Sequence, residues 1–224
     1  MLEYLDLSFH REERVLVKLS SLQLKPGLHL LYGVSGSGKS TLLNVLGARE
    51  TGATGRVVLD GESWDLTAQQ DREDFYLNHV GMQFQDATLI EELNARENLD
   101  FGSQILGREK IAESLIDSLL RALQIDELLE KDVKALSRGE RQRISIARAL
   151  IYETRLILLD EPFVYLQKDL TLKAYTHIAG LLKDLGRICI LSSHDPMVMQ
   201  HGSFDSVLHC EEGFFGRVEK SVID

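Results

Sequence analysis

Apolar and polar residues alternate over positions 2–9 and again over 14–24. A period of two predicts two half-buried strands, split here by the charged turn His10-Arg11-Glu12-Glu13. Pro26-Gly27 predicts a turn, and Leu28 to Tyr32 a third strand running into a glycine-rich loop. Lys39 to Arg49 reads as a helix, Arg56 to Asp60 as a strand and His79 to Phe84 as another. The polar stretch Thr67 to Asp74 reads as a linker or short helix. From Glu91 to about Lys134 the spacing is helical (94–102, 109–123, 126–130), with no strand pattern in between. Gly139 to Tyr152 continues as a helix, with Ile144, Ala147 and Ile151 on one stripe. Leu156 to Leu159 and Ile188 to Leu191 are continuous apolar runs, as in strands buried on both faces of a parallel sheet. Between them Leu170, Ala174, Ile178, Leu181, Leu182 and Leu185 recur at helical spacing and stop at Gly186. Asp195-Pro196 predicts a helix start. Two short strands, 206–210 and 214–218, are expected to flank Glu211-Glu212-Gly213.

This order predicts an α/β fold of three layers, with a mostly parallel sheet and an N-terminal antiparallel β portion. Residues 1–85 and 151–224 are expected to form the core, and 86–150 an inserted helical subdomain. Composition adds limits. At 224 residues, 44% hydrophobic and 27% charged, the chain suits a soluble globular protein. No apolar run reaches the ~18 residues of a membrane span. Met1 to Phe9 carries Glu3 and Asp6 and lacks a basic region, so no secretory signal is expected and the chain is placed in the cytoplasm. Acidic residues outnumber basic ones by 35 to 25, a net charge of −10, which argues against a nucleic-acid partner. Cys189 and Cys210 lack metal-ligand spacing and are expected to be buried, reduced thiols.

The chemistry is concentrated in three places. Gly33-Val34-Ser35-Gly36-Ser37-Gly38-Lys39-Ser40-Thr41 matches the phosphate-loop pattern, entered from a strand and left into a helix. Its glycines let successive N–H groups face phosphate oxygens, and the helix adds its positive end. Lys39 would reach the β- and γ-phosphates, and the Ser40 hydroxyl would ligate Mg²⁺. Leu156 to Glu161 puts two carboxylates at the C-terminal end of a buried strand, where open α/β sheets bind ligands. There Asp160 would hold Mg²⁺, and Glu161 would accept the proton of a water attacking the γ-phosphate. Third, Leu136-Ser137-Arg138-Gly139-Glu140-Arg141-Gln142-Arg143 opens a helix. Read alone, Ser137 is its N-cap and Arg141 to Arg143 a solvated face.

This order of motifs resembles the ATP-binding subunits of ABC transporters over nearly the whole chain, a phosphate-loop NTPase fold. LSRGE at 136–140 is similar to the family's LSGGQ signature. The resemblance implies that Ser137 and Gly139 of one subunit meet the ATP held by the phosphate loop of its partner. It also implies roles for Gln85, as a glutamine that touches Mg²⁺ and senses the transporter, and for His194, as a γ-phosphate contact. Gln83 is the competing choice for the first role. Phe9 is a candidate for stacking on adenine, with a core role as its alternative and Tyr4 as a second candidate. The cofactors implied are ATP and Mg²⁺. The partners implied are a second ATP-binding subunit, in a homodimer, and a separate transmembrane subunit that holds the chain at the inner face of the membrane.

Departures from the family pattern are local. Arg138 and Glu140 stand where the signature has glycine and glutamine. Gln167 replaces an aspartate that, in the family, helps connect the two nucleotide sites. The ERQR at 140–143 and the absence of a long C-terminal extension resemble the small subunits of lipoprotein-release, macrolide-export and cell-division systems. The function expected is ATP hydrolysis driving a membrane subunit. The alternative is an ATP-gated dimerisation module with little turnover.

Overall fold

The computed structural model describes residues 1–211 and 214–218. Within them ten strands form one sheet, in the order β5-β4-β1-β2-β10-β9-β3-β8-β7-β6. Strands β1 (Leu2–Arg11), β2 (Arg14–Leu24), β4 (Thr54–Leu59) and β5 (Glu62–Asp65) make the expected antiparallel portion. The strands β9 (Ser206–Glu211), β3 (Gly27–Tyr32), β8 (Ile188–Ser192), β7 (Leu156–Asp160) and β6 (Val80–Gln83) are parallel neighbours. Antiparallel to β9 lies β10 (Phe214–Val218), whose Phe214 partners Lys18 of β2 and joins the two portions. The expected turn residues Glu212 and Gly213 lie outside the described residues.

Alternation along the parallel strands divides their side chains between two apolar layers. Leu28 and Leu30 of β3, Ile157 and Leu159 of β7, and Cys189 and Leu191 of β8 face one cluster. That cluster is completed by helices α3 (Ala95–Leu106), α4 (Glu113–Ala122), α5 (Arg138–Leu150) and α6 (Lys168–Asp184). Leu31, Leu156, Leu158, Ile188 and Ile190 face the other, together with α1 (Lys39–Leu46), β1, β2 and Phe75 of α2 (Gln69–His79). Because the parallel strands are covered on both sides, they read as unbroken apolar runs. The seventh helix, α7 (Pro196–His201), starts at Asp195, whose carboxylate accepts the Met197 N–H at 2.7 Å.

Two elements differ from the sequence reading. The β5 strand was not expected, because only Trp64 of its four residues is buried. The polar stretch 67–74 belongs to an eleven-residue helix ending at His79, which buries Phe75 alone and so shows no apolar stripe. Between β6 and β7 the chain runs through α3, α4, two short 3-10 turns (Asp126–Leu128 and Val133–Ala135) and α5 without a named strand. Among the described residues no helix is long and apolar enough to cross a membrane. Cys189 and Cys210 are both free and buried, and burial pushes both thiols upward in pKa.

Candidate functional site: a phosphate loop at the edge of a parallel sheet

Register brings the chemistry together. Leu31, Ser192 and Asp160 form one row across β3, β8 and β7, and Gln83 of β6 pairs with Leu159 one step earlier. Neighbouring strands lie ~4.8 Å apart, so this edge is roughly 14 Å wide. Just past it, on four successive strands, stand Gly33, His194, Glu161 and Gln85. All are at C-terminal strand ends, where α/β sheets bind ligands.

The loop from Gly33 to Gly38 turns through left-handed backbone at Gly36 (φ 80°) and at Gly38 (φ 98°), the N-cap of α1. A side chain at either position would strain the turn. The cap has no side-chain hydrogen bond and the first turn of α1 has no acidic residue, so its N–H groups remain available to an anion. Lys39 is buried and folds back, its Nζ donating to the carbonyls of Gly33 (2.8 Å) and Val34 (3.1 Å). Ser35, Gly36 and Ser40 are exposed, Thr41 is half-buried, and the Ser37 hydroxyl is buried with no protein partner.

Asp160 and Glu161 are both buried. Ser192, on the neighbouring strand, ties them together: its hydroxyl donates to Asp160 Oδ1 at 2.6 Å and accepts the Glu161 N–H at 2.9 Å. The Glu161 carboxylate faces His194, with Oε1 2.6 Å from the ring Nδ1 and Oε2 accepting the His194 N–H at 3.4 Å. The buried carboxylate is thus held by an imidazole that is itself 63% exposed, which links it to solvent-accessible space. On β6, Gln83 is fully buried and donates to the carbonyls of Phe84 and Asp160, whereas Gln85 is exposed on the following segment.

Ser137 is the N-cap of α5 and forms a capping box with Glu140. Ser137 Oγ accepts the Glu140 N–H at 3.3 Å, and Glu140 Oε2 accepts the Ser137 N–H at 2.8 Å. That N–H holds the Glu140 carboxyl below its usual pKa. Glutamate in place of the signature glutamine thus serves the helix start, and Ser137 and Arg138 remain exposed. A Cβ on Gly139 would stand 2.9 Å from the Tyr165 carbonyl oxygen, so this glycine permits a close approach of backbone. The solvated face expected for 141–143 is only partial. Gln142 is fully buried and donates from Nε2 to the Glu161 carbonyl at 3.3 Å.

Phe9 needs a correction. Its ring is only 4% exposed and lies in the apolar layer with Tyr4 and α1, so it offers no free face to a base. Tyr4 is buried too, its hydroxyl donating to the Leu46 carbonyl at 2.6 Å. Ser192 and Gln142 were missed, since only strand register and helix packing bring them to the site. Gln167 is the N-cap of α6, extended (φ −69°, ψ 150°), with no cap hydrogen bond. Gln167→Asp is expected to supply that bond and about 1 kcal/mol. In a chain of this size that raises the unfolding midpoint by roughly 2–4 °C. An unchanged or lower midpoint in calorimetry counts against this account of the helix start.

No cluster of three or more His, Cys, Asp or Glu side chains able to hold a metal occurs among the described residues. The ligands expected from the sequence are the Asp160 carboxylate, the Ser40 hydroxyl and the Gln85 amide. A sparse oxygen set beside a phosphate loop suits Mg²⁺, which takes much of its shell from substrate phosphates and water.

Comparison with known proteins agrees with this geometry. A family model described as ABC transporter matches residues 17–164. The molybdenum import ATP-binding protein ModC of Thiobacillus denitrificans is 37% identical over 173 residues, covering 76% of this chain and 46% of that protein. The macrolide export ATP-binding/permease protein MacB of Wolinella succinogenes is 36% identical over 211 residues, covering 90% and 31%. The chain thus spans between about a third and a half of the length of these relatives. Among solved structures, the dimeric bacterial ABC transporter cassette MJ0796 superimposes with a TM-score of 0.81 at 23% identity, covering 97% of both chains. The matched family, the two relatives and the shared fold agree with the phosphate loop and the carboxylate strand end: this chain belongs to the ABC transporter family, as an ATP-binding cassette.

Proposed function

We propose that the chain binds ATP with Mg²⁺ and hydrolyses it between two copies of the cassette, so driving a separate membrane subunit. The observation that carries this reading is the division of the ATP-handling groups. Lys39, Asp160, Glu161 and His194 gather at one sheet edge, while Ser137 and Gly139 open a different helix at the surface. In this reading Lys39 and the first turn of α1 hold the phosphates, and Ser40, Asp160 and Gln85 hold Mg²⁺, which neutralises charge on the phosphate oxygens. Glu161 takes the proton of the attacking water. A water O–P bond forms as the bond from the γ-phosphorus to the bridging oxygen breaks, and ADP leaves with that electron pair. Residues 86–150 serve as a helical arm that presents Ser137 and Gly139 to the partner's γ-phosphate.

The docking place for the membrane subunit is a groove of 280 Å³ between β6, α2, α3 and α5. Phe84, Thr88 and Ile90 line it, so an occupant touches the segment that carries Gln85. Ile105 and Leu106, at the end of α3, are exposed large hydrophobic residues, and Leu106 lines the groove. Arg108 and Arg148 also line it and donate to the Leu77, Tyr76 and Thr88 carbonyls, with no ion pair among the described residues. Burial lowers the pKa of both guanidinium groups. An apolar segment bearing a carboxylate complements this surface.

Mixing two defective chains tests the shared site. Lys39→Ala lacks the phosphate lysine, and Gly139→Asp puts a charged side chain against the Tyr165 carbonyl. Each alone should fail to form an ATP-bound dimer. Together they should form mixed dimers holding one ATP, because one of the two sites is then intact. Failure to complement would place the whole site within one chain. A second reading, dimerisation as the output with little turnover, is favoured by Gln167, which leaves the segment between the sites without its usual carboxylate.

A further inference from the structure

The backbone from Glu161 to Gln167 is gripped by α5 at two points. Gln142 donates to the Glu161 carbonyl at 3.3 Å, and the Tyr165 carbonyl rests on Gly139, less than one turn earlier on the same helix. The helix start assigned to the partner's nucleotide is therefore in contact with the peptide carrying the proton acceptor of its own site. Glu161 needs such support. Its φ of 47° is left-handed, a conformation that costs a non-glycine residue free energy and persists only when neighbours impose it. Ser192 fixes the N–H side of this residue, through its hydroxyl at 2.9 Å and its carbonyl at 3.2 Å. On the carbonyl side stand Gln142 and the Val164 N–H, at 3.4 Å.

Gln142 is a costly choice for that place. It is 0% exposed, on a helix that otherwise buries Ser145 and the apolar Ile144, Ile146, Ala147, Ala149 and Leu150, and its Oε1 has no protein partner. A buried amide with an unmet acceptor lowers stability, and an apolar side chain of similar volume would avoid the penalty. A polar group kept at such a cost beside a strained residue points to a use.

We propose that Gln142 is a positioning residue. It couples the orientation of Glu161 to the position of the α5 N-terminus, so that Glu161 reaches its working geometry when Ser137 and Gly139 are seated on the partner's nucleotide. The inference rests on the hydrolysis reading given above. Its test is Gln142→Met, which keeps the volume and removes the donor, with Gln142→Leu as a second variant, both in the full chain. Loss of one neutral hydrogen bond sets the scale: kcat should fall about five- to tenfold. KM for ATP and ATP-dependent dimerisation should hold, and the unfolding midpoint should hold or rise. An unchanged kcat in a chain whose wild type turns over would overturn this inference alone. So would a kcat that falls in step with the unfolding midpoint across both variants, since that marks a packing role. A wild type with no turnover under any condition would overturn the hydrolysis reading, and this inference with it.

Discussion

Glu161→Gln should slow ATP turnover by at least about a hundredfold and leave ATP binding intact. The side chain is buried and held by His194 through its ring at 2.6 Å and its N–H at 3.4 Å. An amide keeps the shape and one accepting oxygen, so the local packing has no reason to change. It removes the one property that a carboxylate brings, the capacity to take a proton. A positioned general base contributes about 10²- to 10⁴-fold. Phosphate release measured with excess Mg²⁺ and ATP reads the first effect, and size-exclusion chromatography with ATP reads the second. The variant should accumulate as an ATP-bound dimer, because in the proposed cycle hydrolysis is what lets the dimer reopen. Turnover within threefold of wild type would remove Glu161 from the role of base. A variant and a wild type that both dimerise with equally little turnover would favour the dimerisation module.

Lys39→Ala is expected to weaken ATP binding by on the order of 10- to 100-fold. In the free chain the ammonium is already inside the loop, bonded to the Gly33 and Val34 carbonyls. Nucleotide binding exchanges those neutral acceptors for phosphate oxygens at little cost in side-chain order. A hydrogen bond to a charged group is worth about 1.5–3 kcal/mol, which sets the range. Stability of the free chain should change little, because Val34 is exposed and its carbonyl can turn to water. Equilibrium titration with ATP checks the affinity, and a thermal scan without nucleotide checks that the fold is retained. Affinity within threefold of wild type would mean that the α1 N-terminus alone holds the phosphates.

The central strands were legible because their environment is uniform: β7 and β8 are buried at every position and read as apolar runs. The phosphate loop and the capped start of α5 were legible for another reason, since both are local and depend on glycine, lysine and serine at fixed spacing. β5 and the helix ending at His79 bury one residue each and so left too little pattern to read, and at the site the failures come from backbone geometry and distant pairing. Phe9 is a candidate through the resemblance and its place about two dozen residues before the glycine loop, and neither tells which face of its strand it takes. The backbone reverses its phase at Asp6 (φ 51°), and Leu7 and Phe9 then join Leu2 and Tyr4 on the buried side. Ser192 matters only through its pairing with Asp160, and Gln142 only because α5 lies against the peptide after β7. No spacing within the chain encodes either meeting.

The order of strands in the sheet also bears on how the protein is made. The strand that leads into the phosphate loop pairs on one side with β8, through Leu31 and Ser192, and on the other with β9, through Tyr32 and His209. Both neighbours are translated long after it. A ribosome-bound chain therefore carries the loop sequence early, with no flanking strands to hold it in shape. Such distant pairings close slowly. In the proposed function ATP needs the finished edge, and a ligand of the native state draws the last steps of assembly forward. Refolding in ATP should therefore end in a more stable product than refolding without it, and a nascent chain stalled before residue 188 should retain no nucleotide.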